Sequence, residues 1–164
     1  MPDLQPPLKT TSDWEIRGAR LERYMHSHIP LAGKMQVRVA GFDDAGLSLT
    51  APLAPNINHE RSAFGGSLAS VMTLACWGYL WLLLEGEPKL HIVVNEAKLR
   101  YLKPVTGELS ARCPAPEAKA LKTFLGTLAR RGKSRIGLTA EVRQGETVAA
   151  LYSGSFVAYR ENGR

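Results

Sequence analysis

The sequence predicts an α+β fold in which a curved antiparallel sheet wraps around one long buried helix. The first observation behind this prediction is an apolar run from Ser67 to Leu84 that covers every side of a helix, because a helix that is apolar all round has to be enclosed. The second is a change to strand periodicity after Pro88, in segments rich in Val, Leu and Thr. In a chain otherwise made of strands, the enclosure has to be a curved sheet.

One helix and one hairpin precede the buried helix. The helix is predicted over residues 14–28, with Ser12 or Asp13 as its cap and Pro30 as its stop. The hairpin is predicted from apolar residues that alternate with polar ones on both sides of an Asp43-Asp44-Ala45-Gly46 turn. Its two strands lead into the loop that carries the candidate site.

Five strands are predicted after the buried helix, separated by Gly or Pro. Their ranges are Leu90 to Leu102, Glu108 to Cys113, Lys122 to Arg131, Arg135 to Arg143 and Thr147 to Tyr159. The basic residues at 130–135 contain a central glycine and are interpreted as a hairpin turn between two of these strands. A curved antiparallel sheet around one buried helix is the hotdog fold.

Length and composition favour a single cytoplasmic domain. The 164 residues, of which 45% are hydrophobic, are enough for one domain with a sizeable core. Residues 1–12 hold three prolines and are predicted to be a mobile tail without the order of a signal peptide, which leaves residues 13–160 as the domain. The two cysteines have neither metal-site nor disulfide spacing, which favours a reducing cytoplasm.

The net charge of +6 favours an anionic partner, such as an acidic carrier protein or a phosphorylated cofactor. No nucleic-acid partner is predicted, because the basic cluster at 130–135 contains no aromatic residue for base stacking. No membrane span is predicted either. The apolar run is at the short edge of the ~20 residues that a bilayer requires, and Ser70, Thr73 and Gly78 interrupt it.

The loop before the apolar run is the candidate site. It carries Asn56, Asn58 and His59, and it leads to Phe64-Gly65-Gly66-Ser67, where the buried helix begins. The first N–H groups of a helix have no acceptor within the helix, and they lie at the positive end of its dipole. This combination predicts a site that polarises a carbonyl.

Five motifs together resemble the bacterial thioesterase domain of the hotdog superfamily that occurs behind a GNAT-type acetyltransferase domain. They are Tyr24 to Leu31, Ala51 to His59, Phe64 to Ser67, Arg100 to Val105 and Gly154 to Ala158. The chain is similar to the stand-alone form of this domain. The resemblance implies a homodimer or a higher homo-oligomer such as a homotetramer. It also implies a small-molecule acyl thioester as ligand, carried by coenzyme A or by acyl carrier protein, with no other cofactor.

The resemblance to hotdog thioesterases also implies roles for individual residues. Asn58 stands seven residues before Gly65, where these enzymes have an Asn that holds the attacking water or the thioester. Gly66 takes the place of the glycine whose N–H binds the thioester oxygen. Phe64 replaces the usual His, which the site tolerates because the main chain polarises the carbonyl.

The general-base position of the superfamily, seven residues after Gly66, is occupied by Thr73, whose hydroxyl has no useful basicity at neutral pH. His59 is the replacement base that the loop offers, because imidazole can accept a proton at cellular pH. Glu96 is a further candidate if a dimer brings it into the cleft. The same resemblance leaves the acid–base assignment open among these three residues.

Four more residues are candidate substrate contacts besides Asn56 and Phe64. Ser67 and Ser70 share one helix face with Thr73 and could line a polar channel, or their hydroxyls could bond to the carbonyl one turn back. Strand alternation sends Asn95 and Glu96 to opposite faces. Asn95 is then a buried amide or a ligand contact across a dimer interface.

The predicted function is hydrolysis of an acyl thioester by water, without a covalent intermediate. A non-catalytic acyl-thioester binding module is the first alternative, and a hotdog hydratase or dehydratase is the second. No metal site is predicted, because His26 and His28 point apart on a helix. Motifs for dinucleotides, for phosphoryl transfer and for a serine nucleophile are absent from the sequence.

Overall fold

A computed structural model of the chain describes residues 11–85, 87 and 89–161. Six strands, β1 to β6, are Arg38–Asp43, Gly46–Ala51, Leu90–Tyr101, Leu109–Pro114, Lys133–Gln144 and Thr147–Arg160. The helices among the described residues, α1 to α4, are Thr11–His28, Pro30–Lys34, Gly65–Leu83 and Ala118–Arg131. A short 3-10 turn, Ala54–Asn56, lies in the loop before α3. The strands form one antiparallel sheet in the order β1-β2-β4-β5-β6-β3.

The long helix α3 is the centre of the fold. It packs against β2, β3, β4, β5 and β6, so the sheet curves around it. Val71, Met72 and Leu80 of α3 are completely buried. By length and composition α3 could cross a bilayer, but its place inside the sheet accounts for its apolar character. The predicted α+β hotdog fold is confirmed.

One predicted strand is wrong. Residues 122–131 belong to helix α4. Leu121, Phe124, Leu125 and Leu128 recur at helical spacing, and Phe124 and Leu128 are buried. The basic residues at 130–135 are therefore not a hairpin turn. Gly132, with a φ of 68°, caps α4, and its N–H donates to the Leu128 carbonyl.

The first helix starts earlier than predicted and ends at His28, as predicted. It begins at Thr11, before the predicted caps Ser12 and Asp13, so residues 11 and 12 of the predicted tail form its first turn. The rest of that tail, residues 1–10, lies outside the described residues. Pro30 does not only end α1. It also starts α2, because the fixed φ and missing N–H of proline suit the first position of a helix.

Strand β3 lies at one edge of the sheet and contains a bulge. Val94 pairs with Phe156 and Glu96 pairs with Ser155, which leaves Asn95 without a partner in β6. Because directly paired residues share a face, Val94 points with buried Phe156 toward α3. Glu96 points to the outer face, the side of the sheet away from α3. The bulge thus interrupts the regular alternation of β3, and Asn95 is exposed rather than buried in the chain.

Candidate functional site

The α3 tip, which we define as Phe64, Gly65 and Gly66, presents free main-chain donors. The N–H groups of Ser67 and Leu68 donate to the Phe64 carbonyl, at 2.9 and 3.1 Å. Those of Gly65 and Gly66 have no acceptor among the described residues. Both glycines are half-buried, so the donors lie at an accessible place. Such a pair of amides at the positive end of a helix dipole binds developing negative charge.

Two exposed aromatic rings flank the α3 tip. A β-carbon at Gly66 would lie only 2.3 Å from Cε1 of Phe64, so the glycine makes room for that ring. The Tyr101 hydroxyl donates to the Gly65 carbonyl at 3.1 Å. Phe64 and Tyr101 are 57% and 54% exposed, which gives the tip an apolar rim that a ligand can cover. Tyr101 is not among the site residues predicted from the sequence, although it lies in one of the motifs that carry the resemblance.

Asn58 shapes the loop that leads to the α3 tip. Its Oδ1 accepts hydrogen bonds from the N–H groups of Glu60 and Ser62, at 2.9 and 3.0 Å. Its Nδ2 donates to Ser62 Oγ at 3.2 Å. An amide nitrogen has two protons, so one donor of Asn58 is left for a water molecule or a thioester.

Asn56 holds the same loop from inside the protein. Its side chain is buried, and its Nδ2 donates to the carbonyls of Met35 and Pro52 at 2.9 and 2.8 Å. The main-chain carbonyl of Asn56 accepts a hydrogen bond from the N–H of Phe64 at 2.7 Å. Asn56, predicted from the sequence as a substrate contact, therefore has a scaffolding position away from solvent.

The hydroxyls along α3 are occupied as donors. Ser70 Oγ donates to the Gly66 carbonyl and Thr73 Oγ1 to the Ala69 carbonyl, both at 2.8 Å. Of the two alternatives left open for Ser70 and Thr73, the structure therefore shows the hydrogen bond one turn back. Ser67, Ser70 and Thr73 are all half-buried, so their hydroxyl oxygens remain partly accessible as hydrogen-bond acceptors.

Within one chain, Thr73 is too far from Gly66 for both residues to contact the carbonyl group of the same thioester. Seven residues of helix rise about 10 Å along the axis. The neighbourhood of Thr73 also includes Tyr152 of β6. Burial raises the pKa of Tyr152, and the nearby Thr73 side chain opposes that rise. A joint role of Thr73 and Gly66 in catalysis would need two copies of the chain.

The other acid–base candidates are exposed in the single chain. The His59 side chain is 87% exposed, with its Nε2 3.2 Å from a carboxylate oxygen of Glu60. Glu96 and Asn95 are also exposed, on β3. Because Glu96 points to the outer face, it lies on the opposite side of the sheet from α3. The structure thus brings Asn58 and the glycines to one end of α3 and leaves Glu96 outside that group.

Neither cysteine is placed to act as a nucleophile. Cys76 and Cys113 are buried and free. A hydrogen bond with Cys113, together with burial, raises the pKa of the Cys76 thiol far above its usual range, so Cys76 stays protonated. Within the described ranges, no three His, Cys, Asp or Glu side chains cluster in a way that could hold a metal ion.

The chain is similar to several known proteins over most of its length. The family model described as "Putative thioesterase (yiiD_Cterm)" matches residues 18–160. A protein of unknown function from Chlorobaculum tepidum is 32% identical, with 88% of this chain and 94% of that chain covered and a TM-score of 0.82. A Shewanella oneidensis protein described as a "putative thioesterase" is 32% identical, with 88% of this chain and 99% of that chain covered and a TM-score of 0.79. A thioesterase from Haemophilus influenzae, 12% identical with 90% and 94% covered, shares the fold at a TM-score of 0.70.

Proposed function

The chain belongs to this family of thioesterases, and from that premise we propose that it hydrolyses acyl thioesters at the α3 tip. The substrate class is an acyl group carried by coenzyme A or by acyl carrier protein. Water is the nucleophile, and no covalent intermediate forms. The observation that supports this proposal most is the pair of free N–H groups of Gly65 and Gly66 at an accessible helix start.

The α3 tip stabilises the charge that develops as water attacks. Negative charge moves onto the thioester oxygen, and the Gly66 N–H with the α3 dipole binds it. Because this N–H has no competing acceptor among the described residues, no hydrogen bond has to break before it acts. The remaining Nδ2 donor of Asn58 orients the water or the carbonyl from the neighbouring loop.

His59 is the base in this mechanism. It follows Asn58 directly in the loop, and imidazole can accept the proton that the water loses and return it to the sulfur when the carbon–sulfur bond breaks, so that a carboxylic acid and a free thiol are released. The Glu60 carboxylate, 3.2 Å from Nε2, stabilises the imidazolium that results. Because the imidazole is exposed, it can turn toward a bound substrate without disturbing the core.

A non-catalytic acyl-thioester binding module is the second candidate, and one observation favours it. Thr73 occupies the place where related hotdog enzymes carry their acidic residue, and its proton is already donated to the Ala69 carbonyl. A binding module would keep the free amides of the α3 tip and need no base.

The proposed function predicts that Asn58→Asp lowers kcat for acyl-CoA hydrolysis roughly 10-fold or more, the effect of losing one hydrogen bond to the reacting group. An aspartate keeps the acceptor oxygen that bonds to Glu60 and Ser62, removes the Nδ2 donor and adds a negative charge. Release of free thiol from short, medium and long acyl-CoAs, and then from acyl carrier protein thioesters, measures the rate.

Gln36→Glu is the control for this variant, because it makes the same change from amide to acid at an exposed turn. It should leave kcat and the melting temperature unchanged. Saturable binding of acyl thioesters by the unaltered protein with no thiol release would contradict hydrolysis and favour the binding module.

We further propose that two copies of the chain associate along β3. This strand is 12 residues long and lies at the end of the sheet, and it exposes Val93 and Val94 at 43% and 42%. Exposed, long, apolar edge strands readily pair with another chain. A pair of copies would also bring a second α3 and a second Glu96 closer to each site.

Val93→Lys is expected to give a monomer, because Val93 is exposed on the outer face of the edge strand β3, where a charge opposes pairing. Ala40→Lys places the same charge on β1, at the opposite edge of the sheet, and should leave the dimer intact. Sedimentation equilibrium at micromolar concentration measures both masses. A monomeric parent protein, or equal dissociation of both variants, would rule out association along β3.

A further inference from the structure

A groove lies on the outer face of the sheet, on the side away from α3. Its volume is about 660 Å³, and it crosses β3, β6, β5 and the end of β4. The outer groove is defined by the polar side chains that line it, which are Lys98, Arg100, Arg112, Thr139, Glu141 and Ser153. None of these residues takes part in the proposed hydrolysis at the α3 tip.

The strand register explains why these side chains converge. The paired positions form two rows across the outer face, namely Arg100, Leu151, Glu141 and Arg112 in the first and Lys98, Ser153 and Thr139 in the second. The pairing of β4 with β5 ends at Arg112 and Glu141. Beyond that point β4 separates from β5, and the groove opens in the space between them.

The β3 side of the outer groove carries two positive charges that form no ion pair among the described residues. Lys98 and Arg100 make no ion pair or side-chain hydrogen bond within the part of the chain that is described. Residues two apart on a strand are about 7 Å apart and point to the same side. The carboxylate of Glu141 is already bound by Arg143, with Nε at 2.5 Å. Lys98 and Arg100 therefore attract an anion into the groove.

The opposite side of the outer groove is also positive, but it is partly compensated. Arg112 donates to Ser48 Oγ at 2.9 Å, and its guanidinium is 3.9 Å from a carboxylate oxygen of Asp43. Thr139 and Ser153 lie between the two sides and offer hydroxyl groups. The groove thus combines cations at its walls with hydroxyl groups and the Arg143-bound carboxylate of Glu141 on its floor.

We propose that the outer groove binds a phosphorylated small molecule of the nucleotide class, with its phosphate oxygens on Lys98 and Arg100. Adjacent Lys and Arg side chains suit a group that carries more than one negative charge. The volume falls within the ~300–1,000 Å³ of small-molecule sites. The Thr139 and Ser153 hydroxyls suit a sugar, and Leu151 gives an apolar surface for a ring.

Two sources can supply this chemistry. One is the nucleotide end of a coenzyme A substrate, in which case the inference rests on the proposed function. The other is a free nucleotide that binds independently of the substrate. Because the groove and α3 lie on opposite faces of the sheet, the acyl group itself does not bind here.

Calorimetric titration with adenosine 3′,5′-bisphosphate tests the site without any assay of activity. We expect saturable binding with one ligand per chain, and at least 10-fold weaker binding to the Lys98→Ala/Arg100→Ala double variant. Arg135→Ala removes an exposed positive charge elsewhere on the outer face of β5 and should change the affinity less than 2-fold. Absence of saturable binding, or equal weakening by Arg135→Ala, would overturn the proposal.

Kinetics distinguish the two sources. A KM that rises at least 5-fold for acyl-CoA in the double variant, with an unchanged KM for the matching acyl-pantetheine, identifies the substrate's own nucleotide. If the double variant no longer binds the bisphosphate in the titration and both KM values stay unchanged, the natural ligand is a free nucleotide. If the parent protein hydrolyses neither substrate, the proposed function fails, and the titration still decides whether the groove binds phosphate.

Discussion

Replacing Gly66 with proline is expected to lower kcat for thioester hydrolysis by about 10²- to 10³-fold, the cost of removing one oxyanion donor in comparable sites. Proline has no N–H, and it is tolerated in the first turn of a helix because the N–H groups there have no partner within the helix. Gly66 is the second residue of α3, so the helix should still form. The measurement is kcat with the best acyl-CoA, together with the melting temperature.

Gly66→Ala is the matched control. It adds the same β-carbon next to the Phe64 ring and keeps the N–H. The ring is more than half exposed and can swing away, so we expect this variant to retain most of the activity. Equal losses in the two variants would show that the Phe64 contact matters and that the Gly66 N–H does not.

Gly46→Ala is expected to lower the free energy of unfolding by about 3 kcal/mol or more, from a strained φ together with overpacking. Gly46 starts β2 with a φ of 136°, where L side chains are rarely found. A β-carbon there would lie 2.1 Å from the carbonyl oxygen of Cys113 in β4. Because the atoms that this β-carbon would meet belong to the main chain, they cannot rotate away, and β2 and β4 would have to separate. Urea denaturation measures the loss.

Gly41→Ala in β1 is the control for Gly46→Ala. A β-carbon at Gly41 would meet no atom within 4 Å, and alanine costs less backbone entropy than glycine in a strand. Its free energy of unfolding should stay within about 0.5 kcal/mol of the parent protein. Similar destabilisation by both substitutions would contradict the close approach of β2 to β4.

The central helix and the strands around it were predictable because their signals are strong and local. The apolar run predicted a helix over 67–84, and α3 occupies Gly65–Leu83. The hairpin around residues 43–46 is present as β1 and β2. In both cases burial follows from side-chain chemistry alone, since an apolar surface has to be covered whatever the rest of the chain does.

Helix α4 was missed although its pattern is present. Phe124 and Leu128 are four residues apart and form one buried face, but Thr123, Thr127 and Gly126 lower the helix propensity of the same segment. The low helix propensity of these residues favours a strand, whereas the spacing of Phe124 and Leu128 favours a helix. The packing of the Phe124 and Leu128 side chains against the rest of the fold decides the outcome.

The candidate site was predictable in its main-chain part and less so in its side chains. The glycines at the start of α3 follow from helix geometry. The hydrogen bonds of Asn56 and Asn58 depend on Met35, Pro52 and Ser62, which no spacing rule connects to them. Tyr101 reaches Gly65 across 36 positions of the chain, and only the folded sheet brings them together.

The bulge at Asn95 has a consequence for comparing this chain with its relatives. A homologue with a regular β3 must be one residue shorter between Val94 and Glu96 if it is to keep the residues matching Val94 and Ala97 on the side of the sheet that faces α3. An alignment that puts the gap elsewhere in β3 would swap inward and outward positions over the misaligned stretch. Lys98 and Arg100 would then be matched with core side chains, and homologues that keep both cations would be overlooked.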